Sequence, residues 1–141
     1  MTALRPAAHG AKPQILVVDD DAINRLVARV LIESRGYDVV EAEDGETALA
    51  MFEAAPENFG LVLMDLSMPG MDGLHATRAL RQVSPRGATV PIVALTRHTD
   101  PDIRRDCFDA GMNGFLPKPI SATGIESIVC LVGHGASRAH A

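Results

Sequence analysis

The sequence predicts an α/β domain built on a doubly wound, five-stranded parallel sheet with five helices. Two patterns predict it. Short runs of β-branched and aliphatic residues, too short for helices and apolar on both faces, alternate along the chain with stretches of helical periodicity. The order is β-α-β-α-β-α-β-α-β-α, and parallel neighbours need right-handed, usually helical, crossovers, which cover both faces of the sheet.

The first strand is Ile15-Leu16-Val17-Val18, which stops at Asp19. Ile23, Leu26, Val27, Val30 and Leu31 then recur at helical spacing, with Gly36 as the expected C′ residue. A shorter, more polar strand follows from Tyr37 to Glu41. Asp44-Gly45-Glu46 opens a second helix that Pro56 ends. Leu61-Val62-Leu63-Met64 is the third strand, stopping at Asp65, and a helix carries Leu74, Thr77, Arg78 and Leu80 to about Val83. Val90 to Leu95 is the fourth strand, with Pro91 tolerated only near its start. Asp100 and Pro101 read as N-cap and N1 of a helix that ends before Gly111. Gly114-Phe115-Leu116 is the fifth strand, and Ser121 caps a last helix over Ile125 to Val132. Residues 1–13 and 133–141 lack periodicity and read as flexible tails around a working domain of residues 14–132.

Composition narrows the function. With 141 residues, 47% apolar, the chain can bury one real core. Asp and Glu number 18 against 13 Lys and Arg, so no basic field points to nucleic acid or an anionic membrane surface. No stretch approaches the roughly 18 apolar residues of a membrane span. The N-terminal residues lack the apolar region of an export signal. Cys107 and Cys130 have no metal-knuckle or disulfide-scaffold spacing and read as reduced thiols. A cytoplasmic protein is expected.

Sheets of this kind place their chemistry at the carboxyl ends of the strands. There the sequence puts Asp19, Asp20 and Asp21 after the first strand, Asp65 after the third, Thr96 after the fourth and Lys118 beyond the fifth. If these ends converge, several carboxylates share one pocket with a hydroxyl and an ammonium. Clustered carboxylates repel, and a hard divalent cation such as Mg²⁺ relieves that repulsion. Lys118 suits a phosphate, and a carboxylate can itself accept a phosphoryl group. The bland alternative is that Asp19 to Asp21 merely cap the first helix.

Four stretches in order, Ile15 to Asp21, Leu63-Met64-Asp65-Leu66-Ser67-Met68-Pro69-Gly70-Met71-Asp72-Gly73, Pro91 to Thr96 and Gly114-Phe115-Leu116-Pro117-Lys118-Pro119, together resemble the receiver domain of two-component response regulators. Asn24-Arg25 and Pro117 to Ile120 resemble in particular the receivers of hybrid histidine kinases. The resemblance implies a flavodoxin-like sheet of order 2-1-3-4-5. It implies that Asp65 accepts a phosphoryl group from a sensor histidine kinase or a histidine phosphotransfer protein, without separate substrate turnover. Asp20 and Asp65 would ligate Mg²⁺ through carboxylates, Ser67 through its backbone carbonyl and Asp19 through a water. Lys118 would pair with Asp65, Thr96 would move toward the phosphoryl group, and Phe115 would turn inward behind it. The downstream target is unspecified, and the Lys118–Pro119 bond is expected to be cis. Asp21 and Asp72 read better as a cap and a turn residue than as ligands.

Arg97, after the switch threonine, departs from the small residue usual at that pocket mouth. It would either clamp a phosphate or obstruct a donor. Two other functions compete. A pseudo-receiver would bind partners without being phosphorylated, with Arg97 filling the pocket. A phosphatase with an aspartyl-phosphate intermediate usually carries a second Asp two residues after its nucleophile, where this chain has Ser67.

Overall fold

A computed structural model of the chain describes residues 13–98 and 100–137, with side chains through residue 132. Five parallel strands, β1 (Gln14–Val18), β2 (Val39–Ala42), β3 (Phe59–Asp65), β4 (Ile92–Thr96) and β5 (Gly114–Pro117), form one sheet in the order β2-β1-β3-β4-β5. Alternate side chains of the central strands supply two cores, because successive residues of a strand point to opposite faces. Ile15, Val17, Leu61, Leu63, Val93 and Leu95 pack under α1 (Ala22–Glu33) and α6 (Ala122–Ser137). Leu16, Val18, Val62, Met64, Ile92 and Ala94 pack under α2 (Gly45–Ala54), α3 (Gly73–Leu80) and α5 (Pro101–Ala110).

The caps are those the sequence announces, except that Asp72, expected as a turn residue, caps α3. Asp21, Asp44, Asp72 and Asp100 each accept a backbone N–H of the first turn, from Ile23, Thr47, His75 and Ile103. Ser121 accepts from Gly124 N. Gly111 ends α5 at φ 106°, a conformation that suits glycine.

Three expectations are corrected. There are six α-helices among the described residues rather than five, because α3 stops at Leu80 and a short α4 (Pro85–Thr89) follows. Ser84 caps α4 through Gly87 N and Pro85 takes its first position, a start signal the sequence carried. Second, α1 ends at Glu33 and Gly36, at φ 89°, lies in the turn beyond it rather than at C′. Third, α6 runs on to Ser137 past Val132, so the expected tail at 133–141 begins as helix. Its glycines cost helix propensity but are no stop without a left-handed cap or a proline. The expected tail at 1–13 lies outside the described residues except for Pro13. The apolar strip of α1 faces largely away from the sheet. Ala28 and Ile32 are fully buried, whereas Ile23 and Val30 are 65% and 57% exposed, with Leu26 and Val27 exposed beside them.

Candidate functional site

The sheet order brings four strand ends to one place. Asp19 follows β1 and is tied to β2 by its N–H, which donates to the Ala42 carbonyl at 3.1 Å. Asp65 closes β3, opposite Leu95 of β4. Lys118 leaves β5 with its N–H on the Thr96 carbonyl at 2.9 Å, and the bond to Pro119 is cis.

Carboxylate oxygens of Asp19, Asp20 and Asp65 lie within 4.8 Å of one another. Asp19 and Asp65 are buried, and Asp20 is exposed at the rim. Lys118 Nζ donates to Asp65 Oδ1 at 3.0 Å and stands 3.2 Å from Asp19 Oδ2. The two oxygens of Asp65 have different surroundings. Oδ1 accepts from Lys118 and from Ser67 N at 3.1 Å, whereas Oδ2 is buried with no hydrogen-bond donor among the described residues. Asp19 repeats the asymmetry: Oδ1 accepts from Asp21 N at 2.9 Å, and Oδ2 has the ion pair with Lys118 but no hydrogen bond.

Three carboxylates facing one ammonium leave the group two charges short of neutrality, with two buried oxygens lacking donors. This residue set fits a hard divalent cation. Burial is the largest influence on Asp65 and pushes its carboxyl up to about 6, aided by the charge of Asp19 and opposed by the hydrogen bonds from Lys118 and Ser67. Burial alone would lower the Lys118 ammonium; its hydrogen bond to Asp65 and the charges of Asp19 and Asp65 outweigh this and raise it.

The remaining predicted residues stand around this centre. Thr96 is buried at the end of β4, and its hydroxyl is held by the backbone of its own loop. It accepts from His98 N at 2.9 Å and lies 3.1 Å from the His98 carbonyl. Phe115 is half-buried on β5 with Arg104 over its ring. Ser67 is exposed just beyond Asp65. Arg97 is exposed next to Thr96, and Lys118, not Arg97, is the cation in contact with the acidic trio. Asp21 and Asp72 serve as helix caps.

Gly73 and Arg25 also shape the site, and neither had been given a role in it. A Cβ on Gly73 would run into the carbonyl oxygen of Asp65, so only glycine lets α3 start this close to that residue. The sequence reads the Asp72-Gly73 pair as a turn, not as a close approach to Asp65. Arg25 donates to the Asp19 carbonyl, a contact to main chain that no residue pattern announces.

Comparisons with known proteins agree with this geometry. The family model described as the response regulator receiver domain matches residues 15–129. Sensor protein GacS of Pseudomonas syringae pv. syringae is 39% identical over 126 residues, covering 88% of this chain and 14% of its own. Sensor histidine kinase AruS of Pseudomonas aeruginosa is 40% identical over 132 residues, covering 93% of this chain and 13% of its own. The chain thus spans only a small fraction of these relatives' length. Among solved structures, the receiver domain of sensor histidine kinase PA1611 from Pseudomonas aeruginosa, with a magnesium ion coordinated in its active site cleft, is similar with a TM-score of 0.77. It is 35% identical, covering 87% of this chain and 99% of that one. Chemotaxis protein CheY4 of Vibrio cholerae has a TM-score of 0.78 at 31% identity, covering 86% of this chain and 99% of that one. With its acidic pocket assembled at the strand ends, this chain belongs to the response regulator receiver domains of two-component signal transduction.

Proposed function

We propose that Asp65 is the phospho-acceptor and that the acidic trio works with Mg²⁺. The observation that carries this reading is the buried Asp65 carboxylate, with Oδ1 fixed by two donors and Oδ2 without one. Asp20 and Asp65 would hold the ion through carboxylates, Ser67 through its carbonyl and Asp19 through a water. When bound, Mg²⁺ supplies charge neutralisation for a transferring phosphoryl group.

In the proposed transfer, an Asp65 carboxylate oxygen attacks phosphorus of a phosphohistidine. The P–N bond breaks as the acyl-phosphate P–O bond forms, and the histidine leaves with its electron pair and takes up a proton. Lys118, already 3.0 Å from Asp65, stays beside the new phosphoryl group as counter-charge. Thr96 exchanges its His98 contacts for a phosphoryl oxygen, and Phe115 turns into the space vacated. Water later hydrolyses the acyl phosphate, so the domain assists its own phosphorylation and dephosphorylation without turning over a separate substrate.

The donor is a sensor histidine kinase or a histidine phosphotransfer protein. The exposed apolar strip of α1 supports its docking there, because Ile23, Leu26, Val27 and Val30 run away from the loop that carries Asp20. A partner seated on the strip would bring its histidine over Asp65. Cys107 and Cys130 as thiols outside any disulfide fit a reducing, cytoplasmic compartment, and no helix of the described residues is long and apolar enough to cross a membrane.

A pseudo-receiver has no support here, since Asp19, Asp20, Asp65, Thr96 and Lys118 gather in one pocket while Arg97 stands outside the ion pairs. The deciding experiment is intact-mass analysis after incubation with Mg²⁺ and acetyl phosphate. A phosphoryl adduct in the wild type that is lost in Asp65→Asn and without Mg²⁺ is expected. An adduct that persists in Asp65→Asn overturns the assignment.

A further inference from the structure

Arg25 lies one turn into α1, and its side chain is only 17% exposed. The phosphoryl chemistry above does not use it. Its Nη1 donates to the main-chain carbonyl of Asp19 at 2.7 Å and its Nε to Glu41 Oε1 at 2.9 Å. Glu41, on β2, accepts through its other oxygen from Arg29 Nε at 2.7 Å, and Arg29 Nη1 reaches Glu33 at 2.9 Å. Burial alone would raise the Glu41 carboxyl; hydrogen bonds from Arg29 and Arg25 outweigh it and hold Glu41 below the ordinary carboxylate range.

Asp19 is therefore gripped on both sides of its Cα. Its N–H is on the Ala42 carbonyl of β2, and its C=O is on a guanidinium anchored to β2 by Glu41. The second grip fixes the plane of the peptide joining Asp19 to Asp20. That plane sets the direction in which Asp20, the exposed member of the trio, leaves the chain. We infer that Arg25 is a positioning residue for the cation site, acting through the Asp19–Asp20 peptide to hold the Asp20 carboxylate over Asp19 and Asp65. This rests on the reading of the trio as a divalent-cation site. A ligand held in place beforehand loses less freedom on binding, and groups that orient metal ligands are typically worth about 10- to 100-fold in affinity.

The fork geometry matters. One guanidinium spans the Asp19 carbonyl and the Glu41 carboxylate with two separate nitrogens, which the single ammonium of lysine does not reproduce. Arg29 provides the contrast, because it shares Glu41 and its other bond runs to Glu33, not to Asp19.

The test is calorimetric titration of Mg²⁺ into the full chain, with thermal unfolding in chelator as the measure of fold stability. Arg25→Ala is expected to weaken Mg²⁺ binding about tenfold. Arg25→Lys should fall between it and the wild type, and Arg29→Ala should stay within about twofold of the wild type. If Arg25→Ala does not fold, Arg25→Lys decides, and wild-type affinity in it overturns the proposal. Wild-type affinity in Arg25→Ala also overturns it, as does an equal loss in Arg29→Ala, which would make the network a general brace of α1 on β2. Failure of the wild type itself to bind Mg²⁺ overturns the cation reading along with it, so the two failures are told apart.

Discussion

The guanidinium carbon of Arg104 on α5 stands 4.5 Å from the centroid of the Phe115 ring on β5. A cation over an aromatic face at a partly exposed site is worth about 0.5–1 kcal/mol, and here it favours the half-buried position of the ring. Arg104→Ala removes that preference. The population with Phe115 turned inward should rise about twofold to fivefold. Fluorine NMR on a fluorophenylalanine-labelled protein reads the average environment of the ring. A resonance that does not move between wild type and Arg104→Ala means that Arg104 does not hold Phe115.

The fold raises the Asp65 carboxyl from 3.8 to about 6, so it favours the protonated form. The stability this contributes is complete below the ordinary value and is lost as pH rises through about 6. The rise from 3.8 to about 6 corresponds to at most about 3 kcal/mol. In chelator, Asp65→Asn should therefore gain stability relative to the wild type as pH rises from 4 to 7. Denaturant unfolding at several pH values measures this, and a difference that stays flat across the window contradicts it. Added Mg²⁺ should narrow the gap at pH 7, since it binds the ionised wild type.

What the sequence could and could not disclose follows from which interactions leave a residue pattern. Strands β1, β3 and β4 were legible because burial on both faces demands unbroken apolar runs such as Ile15 to Val18. β3 starts at Phe59, two residues before the expected Leu61, and Gly60 within it leaves room for Pro13 and Val132. The acidic trio with Lys118 and Thr96 was legible as residue types at strand ends, and the order of the strands turned that list into a pocket. Periodicity on α1 showed that an apolar strip exists, not which way it faces. Small Ala28 lies against the sheet while larger Leu26 and Val30 face out. Contacts to main chain, such as Arg25 to the Asp19 carbonyl and Thr96 to the backbone of His98, have no counterpart in any pair of side chains.

Gly73 gives a steric test of how Asp65 is held. A methyl group there meets the Asp65 carbonyl, and relief requires either α3 or the end of β3 to shift. Gly73→Ala should cost about 1–3 kcal/mol of stability, the usual range for overpacking. It should also weaken Mg²⁺ binding through the displaced carboxylate. Gly114→Ala is the control, because a Cβ at Gly114 meets nothing within 4 Å and should change stability by no more than about 0.5 kcal/mol. Equal unfolding midpoints for the two variants would remove the steric argument.

Arg97 tests the pocket mouth from outside. It is exposed, it follows the buried Thr96, and Lys118, on the Asp65 carboxylate, would already supply the inner phosphate counter-charge. An exposed cation beside Thr96 would meet an incoming small anion before it reaches Asp65, and its bulk would narrow the donor's way in. Removing it should speed phosphorylation by acetyl phosphate on the order of fivefold, about 1 kcal/mol in barrier. The effect should be smaller with a phosphohistidine protein, which docks through its own surface. The lifetime of the phosphorylated form should change as well, because water reaches the acyl phosphate by the same opening. Intact-mass time courses of adduct formation and loss in Arg97→Ala measure both rates. If neither differs from the wild type, the side chain has no part in gating.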